Sequence, residues 1–337
     1  MIIFLLILLS SSSFAQKPTT ARNTKPKPSP VKNVGDERQE YEDAVNQPIA
    51  TNRIKALQKF IRDFPESQEK VRAQELIVSA RAQLGDEKLG LGENEKGVEY
   101  LKLAAKDAPK PLSDRLFTEV VLTFPSNLFW RGYRSEALEI AKIIEDKAEG
   151  NAKQILALAT FYLQIENAAE TKRLAEKAIA LEPNLPSGYQ MLGLAYRLNF
   201  QLEEAANAYA KALEMDAESA TSKRSLAEMK RALGKSDEAV ALYKEILAKD
   251  ATDAVAHTGL VLSLFNAEKQ KEAEAEMQKS LEANPGNLPL LVGAAYWYAA
   301  HGRGDKAVEL AQKALEVEPR YAWAYVAMAR GLMAQKR

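Results

Sequence analysis

The chain has 337 residues, 46% hydrophobic and 27% charged, with 46 basic and 46 acidic side chains and no net charge at pH 7. That composition describes a soluble globular chain with apolar material for one or two domains, and it offers no basic surface that would release counterions from a phosphate backbone, so nucleic acid is excluded as an expected partner. The absence of cysteine removes disulfides, thiolate metal sites, a cysteine nucleophile and a lipidated-cysteine anchor.

Residues 1–15 are expected to be a signal peptide. An apolar run from Ile2 to Leu9 leads through serines to Ser13-Phe14-Ala15, with small residues where a signal peptidase needs them. The run is shorter than the roughly 20 apolar residues that cross a bilayer, so no transmembrane helix is expected after cleavage. The usual positive residues before the apolar run are missing. Export to the periplasm or medium of a bacterial cell is the localisation this implies. Residues 16–36 read as a disordered Lys/Pro/Thr linker, with Pro26, Pro28 and Pro30 alternating; such a stretch buries no core and acts as a tether.

Beyond the linker the apolar spacing is helical almost everywhere and no alternating strand pattern occurs, so the chain is expected to be all-α. Residues 37–117 read as a degenerate helical segment, with residues 53–65 as the second helix of one unit and another unit beginning near residue 78. The stretch Gly90-Leu91-Gly92 to Gly97 lacks the Gly-Lys-Ser/Thr ending of a phosphate loop and reads as an inter-helix loop. From residue 118 a period of 34 governs the sequence. Ala137, Ala205, Ala239, Ala273 and Ala307 share one column, with Thr171 filling the gap; Leu158, Leu192, Leu226 and Leu260 share another; Tyr162, Tyr196 and Tyr298 a third; Pro183, Pro285 and Pro319 a fourth. Small and large residues must alternate where two antiparallel helices approach closely, and the prolines end the second helix of a unit. Pro125 falls inside the first helix of the unit at 118, which must therefore kink or start late.

This period, the run Tyr189, Leu192-Gly193, Tyr196, Ala205, Tyr209 and Ala212, and the proline column resemble the tetratricopeptide repeat. The resemblance implies a right-handed α-solenoid of antiparallel helix pairs, with an array over 118–321 and a solvating, capping helix over 322–337. It also implies a scaffold that binds protein or peptide in a concave groove lined by the first helices. Read across the repeats, the groove columns give Gln190, Leu194 and Arg197, then Arg224, Glu228 and Arg231, then Thr258, Leu262 and Phe265, then Val292, Tyr296 and Trp323. That surface is basic and polar in its middle and apolar toward the C-terminus, which suits a peptide or helix with acidic residues beside apolar anchors. Aromatic residues at helical spacing also serve as core, and Phe265 and Tyr296 fit either role.

No catalytic residues, cofactor or metal are expected. His257 and His301 are isolated and form no His-Glu-x-x-His pattern; His257 falls in a packing column and His301 at a helix end, where a cation complements the last carbonyls. Glu272 and Glu276 read as an exposed helix edge. Two functions from different classes follow: an envelope scaffold that binds protein, and a glycan-binding accessory stacking sugars on Tyr296, Tyr298 and Trp323. Self-association through Met328, Leu332 and Met333 is a third use of the C-terminal end.

Overall fold

The structure, a computed structural model, describes residues 34–336. The signal peptide expected over 1–15 and most of the linker expected over 16–36 lie outside the described residues. Helix α1 (Val34–Val45) begins inside that linker stretch and is followed by α2 (Ala50–Asp63), α3 (Lys70–Gly90) and α4 (Asn94–Asp107). No strand occurs among the described residues. The chain is an α-solenoid of helix pairs, as the sequence implies.

The N-terminal part departs from the unit expected near residue 78. Its first helix, α3, starts earlier and runs 21 residues. Only Leu91–Glu93 forms the connection; Gly97 is buried in α4, where a Cβ would collide with Leu89 and lie 2.9 Å from the Gly85 carbonyl. The two glycines let α3 and α4 cross almost backbone to backbone.

The kink required by Pro125 takes a definite form. A short turn α5 (Asp114–Leu116) runs into a π-helical turn, Phe117–Val121, and then α6 (Thr123–Trp130). Leu122 donates its amide to the Phe117 carbonyl at 3.0 Å, so the ladder is already loosened just before the residue that cannot donate.

From there the geometry is periodic. After α7 (Arg134–Lys147), the first helices are α8 (Ala152–Gln164), α10 (Pro186–Leu198), α12 (Ala220–Ala232), α14 (Ala254–Asn266), α16 (Leu288–Ala300) and α18 (Ala322–Ala334), each starting 34 residues after the last. The second helices are α9 (Ala168–Leu181), α11 (Leu202–Met215), α13 (Ser236–Lys249), α15 (Gln270–Ala283) and α17 (Gly304–Val317). Side chains of Asn151, Ser219, Asp253 and Asn287 accept amides of the first turn and fix where α8, α12, α14 and α16 begin.

The turn inside each pair has its own column. Gly132, Glu166, Phe200, Gly234, Glu268 and Gly302 all have positive φ, and the next amide reaches back five residues, as Gln201 to the Tyr196 carbonyl at 2.9 Å and Lys269 to the Leu264 carbonyl at 3.0 Å. This is the left-handed helix end that glycine adopts freely and other residues adopt at a cost of about 1 kcal/mol.

The alanine column, including Thr171, is fully buried. Large residues fill what the small ones leave: a Cβ on Gly193 would sit 2.7 Å from the Tyr209 ring, one on Gly259 would enter the Tyr243 ring, and one on Gly293 would lie 2.7 Å from Leu262. The core divides into segments. One apolar cluster runs from Val78 to Ala178, another from Ala227 to Ala327, and between them lies a small one around Ala205, Tyr209 and Leu226.

Candidate protein-binding face

Successive first helices touch one another at α8–α10, α12–α14, α14–α16 and α16–α18, whereas the second helices from α9 to α17 stand farther apart. The first helices therefore line the inner face. α10 and α12 do not close in this way, and a pocket of about 360 Å³ opens between α10, α12 and α14.

Six of the expected groove residues meet in its wall: Arg197, Arg224, Glu228, Arg231, Thr258 and Leu262. Their charges are mostly answered from within. Arg231 gives Glu228 two hydrogen bonds, at 2.5 and 3.2 Å, and the Tyr243 hydroxyl donates to the same carboxylate at 3.4 Å. Burial raises the Tyr243 hydroxyl pKa, and the Glu228 charge raises it further. Arg224 pairs with Asp253. Burial opposes charge on Asp253, but the Ala256 amide, Arg224 and the Val255 amide outweigh it and hold the carboxyl below its usual range. The arginine-rich middle is thus less basic than its sequence suggests. Arg197 is exposed and has no carboxylate partner among the described residues, so it carries the free positive charge of this wall.

The flanking residues take other roles. Gln190 donates to the Ser222 hydroxyl at 2.7 Å and braces α10 against α12. Thr258 donates to the Ala254 carbonyl and accepts from the Asn287 amide, both at 2.8 Å, which ties α14 to the start of α16. Tyr296 is half-buried, with the Arg330 guanidinium 4.8 Å from its ring centre.

Phe265 is not a groove residue. It is 0% exposed, with its ring centre 4.5 Å from that of Trp297 and 5.4 Å from that of Tyr298; it lies one helical turn past Leu262 and rotates inward to fill the space between α14 and α16. Val292 is likewise buried. Trp323, by contrast, is 60% exposed on α18, with Tyr325, Val326 and Met333 also exposed. α18 stands at the first-helix position of the register, packs on α16 and α17 through the buried Ala324, Ala327 and Gly331, and shows solvent the face that α16 buries. The expected exposed edge of α15 is also corrected, since Glu276 is half-buried and lies 2.6 Å from His257 Nδ1. His301 does meet a helix end, its Nδ1 2.7 Å from the Trp297 carbonyl.

Sequence reasoning missed Tyr243 and Val255, which line the pocket, and Asp253, which pairs with Arg224 in its wall. Asp253 carried a readable signal, because an acidic residue just before a helix start is a capping position on the same face as Arg224. Tyr243 belongs to a second helix and reaches the pocket only because Gly259 leaves room.

No helix among the described residues is long and apolar enough to cross a membrane, and no cluster of metal-ligating side chains occurs among them.

A tetratricopeptide-repeat family model matches residues 186–219, the unit formed by α10 and α11. The cellulose synthase operon protein C of Xanthomonas axonopodis pv. citri (strain 306) is 26% identical over 188 residues, a match covering 50% of this chain and 12% of that protein's length. Similar solved structures include YrrB, described as a TPR protein with an unusual peptide-binding site (TM-score 0.44, 20% identity, 56% of this chain and 97% of that one). The type IV pilus biogenesis factor PilW superposes with TM-score 0.49 at 19% identity over 55% of this chain and 86% of its own. A tetratricopeptide repeat protein from Parabacteroides merdae gives 0.47 at 13% identity over 87% and 99%.

Proposed function

We propose, for a chain built of tetratricopeptide repeats and so a scaffold for protein–protein contact, that the inner face from α10 to α18 binds a peptide or helix of an exported partner in the cell envelope. The observation that carries this is the pocket between α10, α12 and α14, where internal ion pairs hold the walls and leave Arg197 free. Such a wall is pre-organised, so a ligand spends little ordering it. The exposed Trp323 and Val326 on α18 supply apolar anchors at the other end. Export rests on the sequence of residues 2–15.

A photo-crosslinking residue at Val255, which is exposed in the pocket wall, tests the reading against one at Asn207, exposed on second helix α11. Expressed in a bacterial envelope, the Val255 position is expected to trap one protein and Asn207 none. Equal trapping at both positions, or none at Val255, sinks the inner-face reading. Fractionation of the same cells tests export separately, with the protein expected outside the cytoplasm.

A second reading has one observation behind it, the relative whose name places it in a cellulose synthase operon. Here the exposed Trp323 and Tyr325 would stack on sugar rings of a glucan. Binding to soluble cello-oligosaccharides that is indifferent to salt and lost in Trp323→Ala separates it from peptide binding, which weakens as salt screens Arg197.

A further inference from the structure

The inner face is not the largest concavity among the described residues. A pocket of about 700 Å³ lies at the other end of the molecule, between α2, α3, the α4–α5 connection and the last turn of α7. It is outside the 34-residue array and no part of the reading above.

Its lining holds four cations, Arg62, Lys106, Lys110 and Lys147, against one carboxylate, Asp107. Two of the four are used in building the wall. Lys110 reaches Asp146 at 3.0 Å and Glu149 at 2.7 Å, and Lys147 donates to the Ala108 carbonyl at 2.7 Å; together they pin the Ala108–Pro111 connection to α7. Asp107 is taken by Arg81, a buried side chain that also donates to the Leu103 carbonyl at 3.2 Å. Arg62 on α2 and Lys106 on α4 remain, both exposed and neither with a partner among the described residues. The same lining offers apolar side chains, Val71, 53% exposed, and the half-buried Ile61, alongside Gln58 and Gln74.

We infer that this pocket is a second docking site, which takes a short extended peptide bearing an acidic side chain next to aliphatic ones. Charge complementarity selects the acid, since two free cations face one cavity with no free carboxylate to answer them. The exposed valine selects the aliphatic neighbour, whose burial adds about 25 cal/mol per Å² of apolar surface. A polyanion fits poorly, because two free cations release few counterions and the apolar side chains give a phosphate backbone nothing. The volume lies within the roughly 300–1,000 Å³ typical of ligand pockets, and its ion-paired wall needs no ordering on binding. With a second site near α2 and the inner face beginning at α10, one molecule would hold two peptide segments at once, each raising the effective concentration of the other.

The test is fluorescence anisotropy of the full chain with a labelled short peptide of alternating leucine and glutamate. The same peptide with glutamine for glutamate is the control. The parent is expected to bind the acidic peptide at least about tenfold tighter than the glutamine one. Arg62→Glu with Lys106→Glu, two exposed changes checked by circular dichroism, is expected to lose that preference, and Val71→Asp to weaken both peptides. Asn207→Glu, an exposed change on second helix α11 away from both pockets, is expected to change nothing. Equal binding of the two peptides, no saturation at millimolar peptide, or loss of binding in Arg197→Glu but not in the Arg62/Lys106 variant would each overturn the proposal.

Discussion

The unit of α8 and α9 and the unit of α10 and α11 share one register and use it oppositely. In α8 the column at residues 155, 156, 158 and 162 holds Ile155, Leu156, Leu158 and Tyr162, all buried. In α10 the same positions hold Tyr189, Gln190, Leu192 and Tyr196, none of them buried, and the buried residues are Gly188, Gly193 and Ala195. One step further the column that held Leu156 and Gln190 holds Arg224, paired with Asp253. Leu156 is buried in the core, whereas Gln190 and Arg224 keep the same column polar and flank the pocket between α10, α12 and α14. The backbone repeat sets the positions, and the side chains that fill them set how much of each first helix is core and how much is surface.

The sharpest way to break this division is to empty the core beside the pocket. Phe265→Ala should lower stability by about 3–5 kcal/mol, as a large buried ring leaves a cavity, read by chemical denaturation; a change under about 1 kcal/mol would mean the ring faces the groove after all.

Next comes the outer clamp of the closed region. Glu145 on α7 accepts two bonds from Arg173 at 2.9 and 2.6 Å and one from Lys177 at 2.8 Å on α9. The Arg173 bonds, opposed by burial and aided by Lys177, hold its carboxyl at about 2. A carboxyl lowered on folding stabilises fully above its unfolded pKa near 4.5 and loses that contribution as pH falls toward 2. Glu145→Gln should cost about 1–3 kcal/mol at neutral pH, and the variant should lose less stability than the parent between about pH 4.5 and 2.

A smaller effect runs the other way. Glu268 holds positive φ in a turn where Gly234 and Gly302 occupy the same column, so Glu268→Gly should stabilise by up to about 1 kcal/mol; loss of its contact with His301 at 3.3 Å subtracts little, being exposed. The smallest change is expected at the open face itself, where Arg197→Glu should leave stability within about 0.5 kcal/mol while abolishing partner capture.

Much of the fold was legible in the sequence because helix packing forces small residues to recur. Ala137 through Ala307 marked the second helices, and Pro183 and Pro285 marked their ends. The site was legible only in part. Column reading placed Arg197, Arg224, Glu228, Arg231, Thr258 and Leu262 together, since residues one repeat apart share a face. It could not tell Phe265 from Leu262, because one turn of helix separates groove from core and the difference depends on how α16 packs against α14. Nor could it see that Asp253 and Glu228 neutralise their arginines, a matter of side-chain reach across helices. The length of α3 escaped because the close approach of Gly85 and Gly97 obeys no 34-residue rule.

The most direct measurement is capture from cell-envelope extract on the immobilised protein, run beside Arg197→Glu with Trp323→Ala and matched for unfolding temperature. The account predicts a protein retained by the parent and lost by the equally stable variant. Retention of the same proteins by both would contradict it and remove the inner face as the binding surface.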